Sequence, residues 1–173
     1  GNVEENYPRT TRNVDEAFVE KIGSEKIVPL AEKGFDQPGN YDTASLLKQA
    51  QDVDYIVLAL GEPAYAESPG ALDDLNLPEE QKELVRVAAK TGKPVIIVLV
   101  EGRPRIVRDI EPLARGIILA YQPGSMGAAA ITDVVFGDYN PAGILPFSYP
   151  QYTGDILPYD HGVLASIQQL IPS

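Results

Sequence analysis

The sequence contains no cysteine and no tryptophan, and His161 is its single histidine. Without cysteine there is no disulfide framework and no thiolate metal site, and one imidazole cannot make a cluster of histidine ligands, so no metal or other cofactor is expected. Cationic residues are scarce as well: 14 Lys and Arg stand against 25 Asp and Glu, for a formal charge of -11. A phosphate backbone needs a basic face on its partner, and this balance argues against nucleic acid. Long apolar runs are also missing. The longest, YIVLAL at 55–60 and VIIVLV at 95–100, are about six residues against the roughly 20 needed to span a bilayer, so no membrane association is expected.

What is present is 173 residues, enough for one well-cored domain. The chain opens on Gly1, and GNVEENYPRTTRN has no apolar periodicity. Residues 1–12 therefore read as a tag scar or linker, residues 13–161 as the domain, and 162–173 as a tail leading towards a further region. Both ends look cut, and signals for export would lie outside this stretch.

Along the domain, Val14, Phe18, Val19 and Ile22 recur at helical spacing and stop at Gly23. KIVPLA at 26–31 is short and apolar with an internal proline, the pattern of an edge strand. Leu46, Leu47 and Ala50 share a face in DTASLLKQAQDVD, with Asp42 or Thr43 as N-cap, which predicts a second helix. YIVLAL, VIIVLV and GIILAY (116–121) are apolar at every position, as in parallel strands buried on both faces. A helix is predicted after Asn76–Leu77, with Pro78 at its first position, Glu79 and Glu80 in its first turn, and Lys90 and Gly92 at its end. The remaining elements expected are a short helix in RPRIVRDIEPLA interrupted at Pro112, a small-residue helix ending near Gly137, and a final strand in GILPFSYP. Strands alternating with helices predict an α/β fold: a three-layer sandwich with a mostly parallel, doubly wound sheet of about six strands, flavodoxin-like in class. In such sheets ligands lie outside the carboxyl ends of the strands.

Motifs narrow the chemistry. There is no Gly-x-Gly-x-x-Gly turn, no phosphate loop and no Gly-x-Ser-x-Gly elbow, and His161 sits in PYDHG without triad partners. PGSMG reads as a tight helix start. Asp54 and Glu101 invite a phospho-acceptor reading, but Asp54 stands at the wrong end of its strand, and Glu101 opens the turn EGRP, where pairing with Arg103 or Arg105 explains it. Asp73 and Asp74 precede the helix at Pro78 and suit capping or solvent. Two glutamates remain, Glu62 and Glu67, in GEPAYAESPG, directly after a predicted strand.

LGEPAYAE, LNLPEEQKELV, GKPVIIVLVEGRP, ILAYQPGSMGAAAITDVVFGDYNPAGILPFSYP and LPYDH together resemble the second domain of glycoside hydrolase family 3, the β-glucosidases and exo-glucanases. The likeness runs over about residues 12–161 and is weakest in the first third. It implies an α/β sandwich that lends a glutamate, as general acid/base, to an N-terminal barrel domain of the same protein carrying the aspartate nucleophile. By position in Tyr65–Ala66–Glu67, Glu67 is the implied proton donor, with Tyr65 and Glu62 on the substrate side. Where the family continues with Gly-Asp, this chain inserts Ala71 and Leu72 after Gly70. The implied substrate is an oligo- or monoglucoside, and a periplasmic or secreted location is implied for the full-length protein. With no nucleophile motif and no room for a barrel, this chain is expected to be inactive alone. The competing expectation is a stand-alone, non-catalytic sugar-binding or interaction module of the same fold. A flavodoxin-like or receiver-like regulator is disfavoured by the missing phosphate loop.

Overall fold

The three apolar runs pair as parallel strands in a computed structural model that describes residues 11–29, 43–62 and 74–155. Tyr65, Glu67, Asp73 and His161 lie outside the described residues, as do the chain ends. Strands β1 (Ile56–Gly61), β2 (Val95–Val100) and β3 (Gly116–Leu119) form one sheet in the order β1-β2-β3. Ile56 is opposite Val95, Gly61 opposite Val100, and Leu99 opposite Leu119. Among the described residues the helical pieces before and between them are α1 (Val14–Ile22), a 3-10 turn at Ser24–Lys26, α2 (Thr43–Gln49) continuing as 3-10 at Ala50–Asp52, α3 (Glu79–Lys90), and a 3-10 turn at Glu111–Leu113. Helix α4 (Gly127–Phe136) follows β3.

Strand alternation sorts the side chains onto two faces. Ile56, Leu58 and Leu60 of β1 lie beside Val95, Ile97 and Leu99 of β2, and all six join Leu46, Leu84, Val85, Val87, Ala88 and Ile110 in one core. That core holds α2, α3 and the turn before β3 on the same side. Strands laid down in sequential order, with crossovers of one hand, put their connections on one face of the sheet. Ile97 and Val85 are wholly buried, and burial of such a side chain is worth about 1.5–3 kcal/mol. The opposite face is uneven: Val98 is fully buried, whereas Ala59 is exposed and Val57 half-buried. Only the central strand is therefore covered on both sides, among the described residues, and the expectation of three such strands is corrected. Among the described residues the flanking strands have one neighbour each, and their continuous apolar runs do not report that.

Helix α1 begins at a capping box. The Glu16 backbone N–H donates to Asn13 Oδ1 at 2.8 Å, and the Asn13 N–H donates to the Glu16 carboxylate at 3.0 Å. It packs on α4 through Phe18 and Phe136, rings edge-on with centroids 5.3 Å apart. Helix α4 ends at Gly137, as predicted, in the left-handed conformation that a side chain resists. In α3 Pro78 is the N-cap rather than the first helical residue.

The architecture is an α/β sandwich, with three strands formed among the described residues where about six were expected. Two expected strands do not form among the described residues. Residues 27–29 after the 3-10 turn are irregular, with Val28 exposed; Pro29 has no N–H for a ladder, and residues 30 and 31 lie outside the described residues. Residues 143–150 are likewise irregular: Pro146 and Pro150 remove two donors, and Ile144 stands 93% exposed. The helix expected over 103–114 is a turn followed by the 3-10 piece, and Ile106 makes a parallel bridge with Asn76 instead. Among the described residues no helix is long and apolar enough to cross a membrane.

Candidate functional site

The carboxyl ends of β1 and β2 place two glutamates side by side. Because Gly61 pairs with Val100, the next residues, Glu62 and Glu101, leave the sheet as neighbours. Gly61 makes the approach possible. A Cβ built there would lie 1.9 Å from the Val100 carbonyl oxygen, and its φ is +154°. Gln81 of α3 fixes this end of β1: its side-chain amide donates to the Gly61 carbonyl and accepts from the Gly61 N–H, both at 2.9 Å.

Glu62 is enclosed, with its side chain 2% exposed. Oε1 accepts the backbone N–H groups of Gly102 at 3.1 Å and Arg103 at 2.9 Å. Oε2 accepts Arg103 Nε at 2.8 Å and Arg105 Nη2 at 2.9 Å. Burial pushes this carboxyl up, but the hydrogen bonds from Arg103 and the charges of Arg105 and Arg103 outweigh it, and the net shift is downward. Glu62 is one of the residues that the resemblance places on the substrate side. Its lone pairs are directed at donors of its own chain, because two guanidinium groups and two turn amides converge on it.

Glu101 is equally buried but differently partnered. Oε1 accepts the Tyr149 hydroxyl and, at 3.3 Å, the Arg105 N–H, while Oε2 is buried with no hydrogen-bond partner. Burial, reinforced by the Glu62 charge, pushes its carboxyl above the ordinary range despite the Tyr149 hydrogen bond. The same burial, with the adjoining carboxylate, drives the Tyr149 hydroxyl upward, so it stays a donor. The expected pairing of Glu101 with Arg103 or Arg105 is corrected: both guanidinium groups turn to Glu62, and Arg105 reaches Glu101 only through its backbone. Tyr149, 48 residues away, was not singled out from sequence, where nothing in FSYP distinguishes it.

Arg105, 8% exposed, also reaches across the sheet edge. Nη1 donates to the carbonyl of Asp74 at 3.0 Å and to that of Asn76 at 3.3 Å. The Ile106 N–H donates to the Leu75 carbonyl at 2.9 Å beside it. Asp74 shapes the turn before α3 rather than the helix start, accepting the Asn76 N–H at 2.9 Å and the Asn76 amide at 2.7 Å. Those bonds hold its carboxyl below the usual range. Asp54 is exposed at the amino end of β1, away from this cluster. Tyr121, at the end of β3, has φ +54°, a left-handed conformation unusual for a tyrosine, and its carbonyl accepts the Glu101 N–H at 3.0 Å. Among the described residues no group of acidic or histidine side chains is arranged to hold a metal ion.

The parallel sheet carries buried charge at its carboxyl edge, the side on which ligands lie in open α/β sheets. The chain matches the family described as "Glycosyl hydrolase family 3 C-terminal domain" over residues 3–169, and it belongs to that family. It is 38% identical over 142 residues to the lysosomal beta glucosidase of Dictyostelium discoideum, covering 81% of this chain and 16% of that protein. It is 37% identical over 111 residues to a beta-xylosidase of Formosa agariphila, covering 64% of this chain and 15% of the relative. The crystal structure of beta-glucosidase from Listeria innocua in complex with isofagomine superposes with a TM-score of 0.73 at 30% identity, over 82% of this chain and 20% of that one. The chain thus spans about a sixth of the length of the curated relatives it matches.

Proposed function

We propose that this domain supplies the general acid/base, Glu67, to the active site of a retaining, exo-acting β-glucosidase whose nucleophile comes from an N-terminal barrel domain of the same protein. The observation that carries the reading is the family match, together with Tyr65–Ala66–Glu67 following the end of β1. Retaining hydrolysis uses two carboxyl groups about 5 Å apart, one attacking the sugar and one protonating the departing oxygen. A proton donor of this kind has to remain protonated near neutral pH, which burial or a neighbouring negative charge achieves. Tyr65 is assigned to enclosing the donor on the substrate side. Glu62, whose carboxylate is already occupied, is assigned to anchoring the segment that begins after it. Relatives named for glucosides and for xylosides share this domain, in keeping with a sugar preference set by the barrel.

The test is leaving-group dependence in the full-length protein. Glu67→Gln is expected to lower kcat/KM, which reports the glycosylation step, on β-glucosides with poor leaving groups by about 10² to 10⁴, the usual span for general acid catalysis. On nitrophenyl-type glycosides, which depart unassisted, the loss in the glycosylation step is far smaller. Equal loss on both would count against the acid role. The 173-residue chain alone is expected to show no turnover of an aryl β-glucoside, because it holds one of the two carboxyl groups.

A further inference from the structure

Among the described residues two buried side-chain atoms have no hydrogen-bond partner, and they are complementary: Glu101 Oε2 accepts and Arg105 Nε donates. A buried polar group left unpaired is costly, so the two call for a reason. Both belong to residues already in touch. The Arg105 backbone N–H donates to Glu101 Oε1 at 3.3 Å, and the Arg105 charge acts on the Glu101 carboxyl. The bonds that the Arg105 guanidinium makes elsewhere are replaceable. Without it Glu62 keeps the Gly102 and Arg103 N–H groups on Oε1, and Arg103 Nε at 2.8 Å and Nη2 at 2.5 Å on Oε2. Arg105 Nη1 is bonded to the carbonyls of Asp74, which is exposed, and Asn76, which is half-buried, so water can take its place there.

We infer that Arg105 is a proton-controlled latch: with Glu101 neutral its guanidinium ties Glu62 to the turn at 74–76, and when Glu101 loses its proton the guanidinium turns Nε to Glu101 Oε2 and releases that turn. Ionised, Glu101 is a second buried negative charge beside Glu62, and an unpaired cationic donor stands in the same cluster to answer it. The guanidinium is a rigid plane, so moving one corner moves the others. The groups that face Glu101 come from every element around it. Glu62 at the end of β1 and burial push its carboxyl up, burial foremost. The Tyr149 hydroxyl, the Arg105 N–H and the Arg105 charge pull it down, and the net is upward. Arg103, in the same turn as Arg105, is engaged with Glu62, and Tyr121 at the end of β3 takes the Glu101 N–H on its carbonyl and bears on Tyr149. Because the folded pKa lies above the ordinary 4.5, the tied arrangement persists above that pH and is lost as pH rises through the folded value. The turn at 74–76 precedes α3 on the carboxyl side of the sheet, so the edge that binds ligands in such folds has two arrangements selected by pH.

The test is side-chain and backbone NMR of the chain across a pH series, on the unsubstituted protein, Glu101→Gln and Tyr149→Phe. Three signals are followed: the Glu101 carboxyl carbon, the Arg105 Nε–H, and the backbone amides of Leu75 and Leu77, whose peptide groups contain the Asp74 and Asn76 carbonyls. One midpoint above 4.5 shared by all three is expected. E101Q is expected to abolish the transition at Arg105 and at both amides. Y149F is expected to raise the Glu101 midpoint and to carry the Arg105 and amide midpoints up by the same amount. Crystal structures on either side of the midpoint separate a moved guanidinium from a change of field alone. Above it, Nε within hydrogen-bond distance of Glu101 Oε2 and Nη1 off the two carbonyls support the latch. The inference is overturned if Arg105 stays in place while Glu101 titrates, if the transition persists in E101Q, or if Glu101 does not titrate while the chain is folded. Should one variant not fold, the other decides together with the two crystal structures.

Discussion

Glu62 and Glu101 end adjacent strands, one residue past a paired Gly61 and Val100, and both are buried, yet their carboxyl groups are driven in opposite directions. Glu62 meets two guanidinium groups and two backbone amides; Glu101 meets a phenol and one long backbone contact, with an oxygen left unpaired. Burial alone favours the neutral form of either. Donor chemistry decides: two guanidinium groups on Oε2 and two backbone N–H groups on Oε1 reverse the burial effect for Glu62, and a neutral hydroxyl with one long backbone contact does not do so for Glu101. The charge held on Glu62 then adds to the upward push on its neighbour.

The largest effect that tests this contrast is expected from Glu62→Ala. It leaves Arg105 buried without its anion, and loss of one partner from a buried pair costs about 3–5 kcal/mol. Urea unfolding of this chain measures it. A cost under about 1 kcal/mol would mean the arginines repair with Glu101 and the two sites are interchangeable. Next comes Tyr149→Phe, which removes the hydroxyl from Glu101 and leaves a buried acceptor short of a donor, at about 1–3 kcal/mol. The same variant should move the Glu101 titration further upward, which side-chain carboxyl NMR reads directly. A downward move would show that the phenol is not what restrains it.

The smallest effect is a change of slope with pH. Glu62 has a folded pKa below its ordinary 4.5, so the stability it contributes is present above that value and is lost as pH falls through the folded pKa. Glu101 has a folded pKa above 4.5, so its contribution is full below 4.5 and is lost as pH rises through the folded pKa. Glu101→Gln should therefore flatten the decline in stability on the neutral side of 4.5, leaving the acid limb in place. Denaturant midpoints across a pH series give both limbs, and an unchanged neutral limb would remove Glu101 as its source.

Periodicity made the sheet and most helices legible. Three continuous apolar runs became the three strands, and glycine at position 137 ended α4 as its backbone freedom suggested. Proline misled at the edges, since KIVPLA at 26–31 and 143–150 look apolar enough for strands, yet Pro29, Pro146 and Pro150 each remove a donor and the described residues of both stretches do not pair into the sheet. In the site, the proximity of Glu62 to a strand end was readable, whereas its partners were not. EGRP suggested that Glu101 would take the nearby arginines, and local spacing favours that choice. The fold overrules it because parallel pairing brings the end of β1 alongside the turn after β2, 41 residues distant in sequence.

Residue types and their order were enough to specify an acidic α/β domain, its family and the segment after β1 where chemistry is proposed, because period, punctuation and motif are local quantities. Which carboxyl is shifted down and which up, which arginine spans residues 62 to 76, and that Tyr149 closes the cluster depended on folding. Those outcomes turn on distances between groups far apart along the chain, and such distances exist only once the strands have paired.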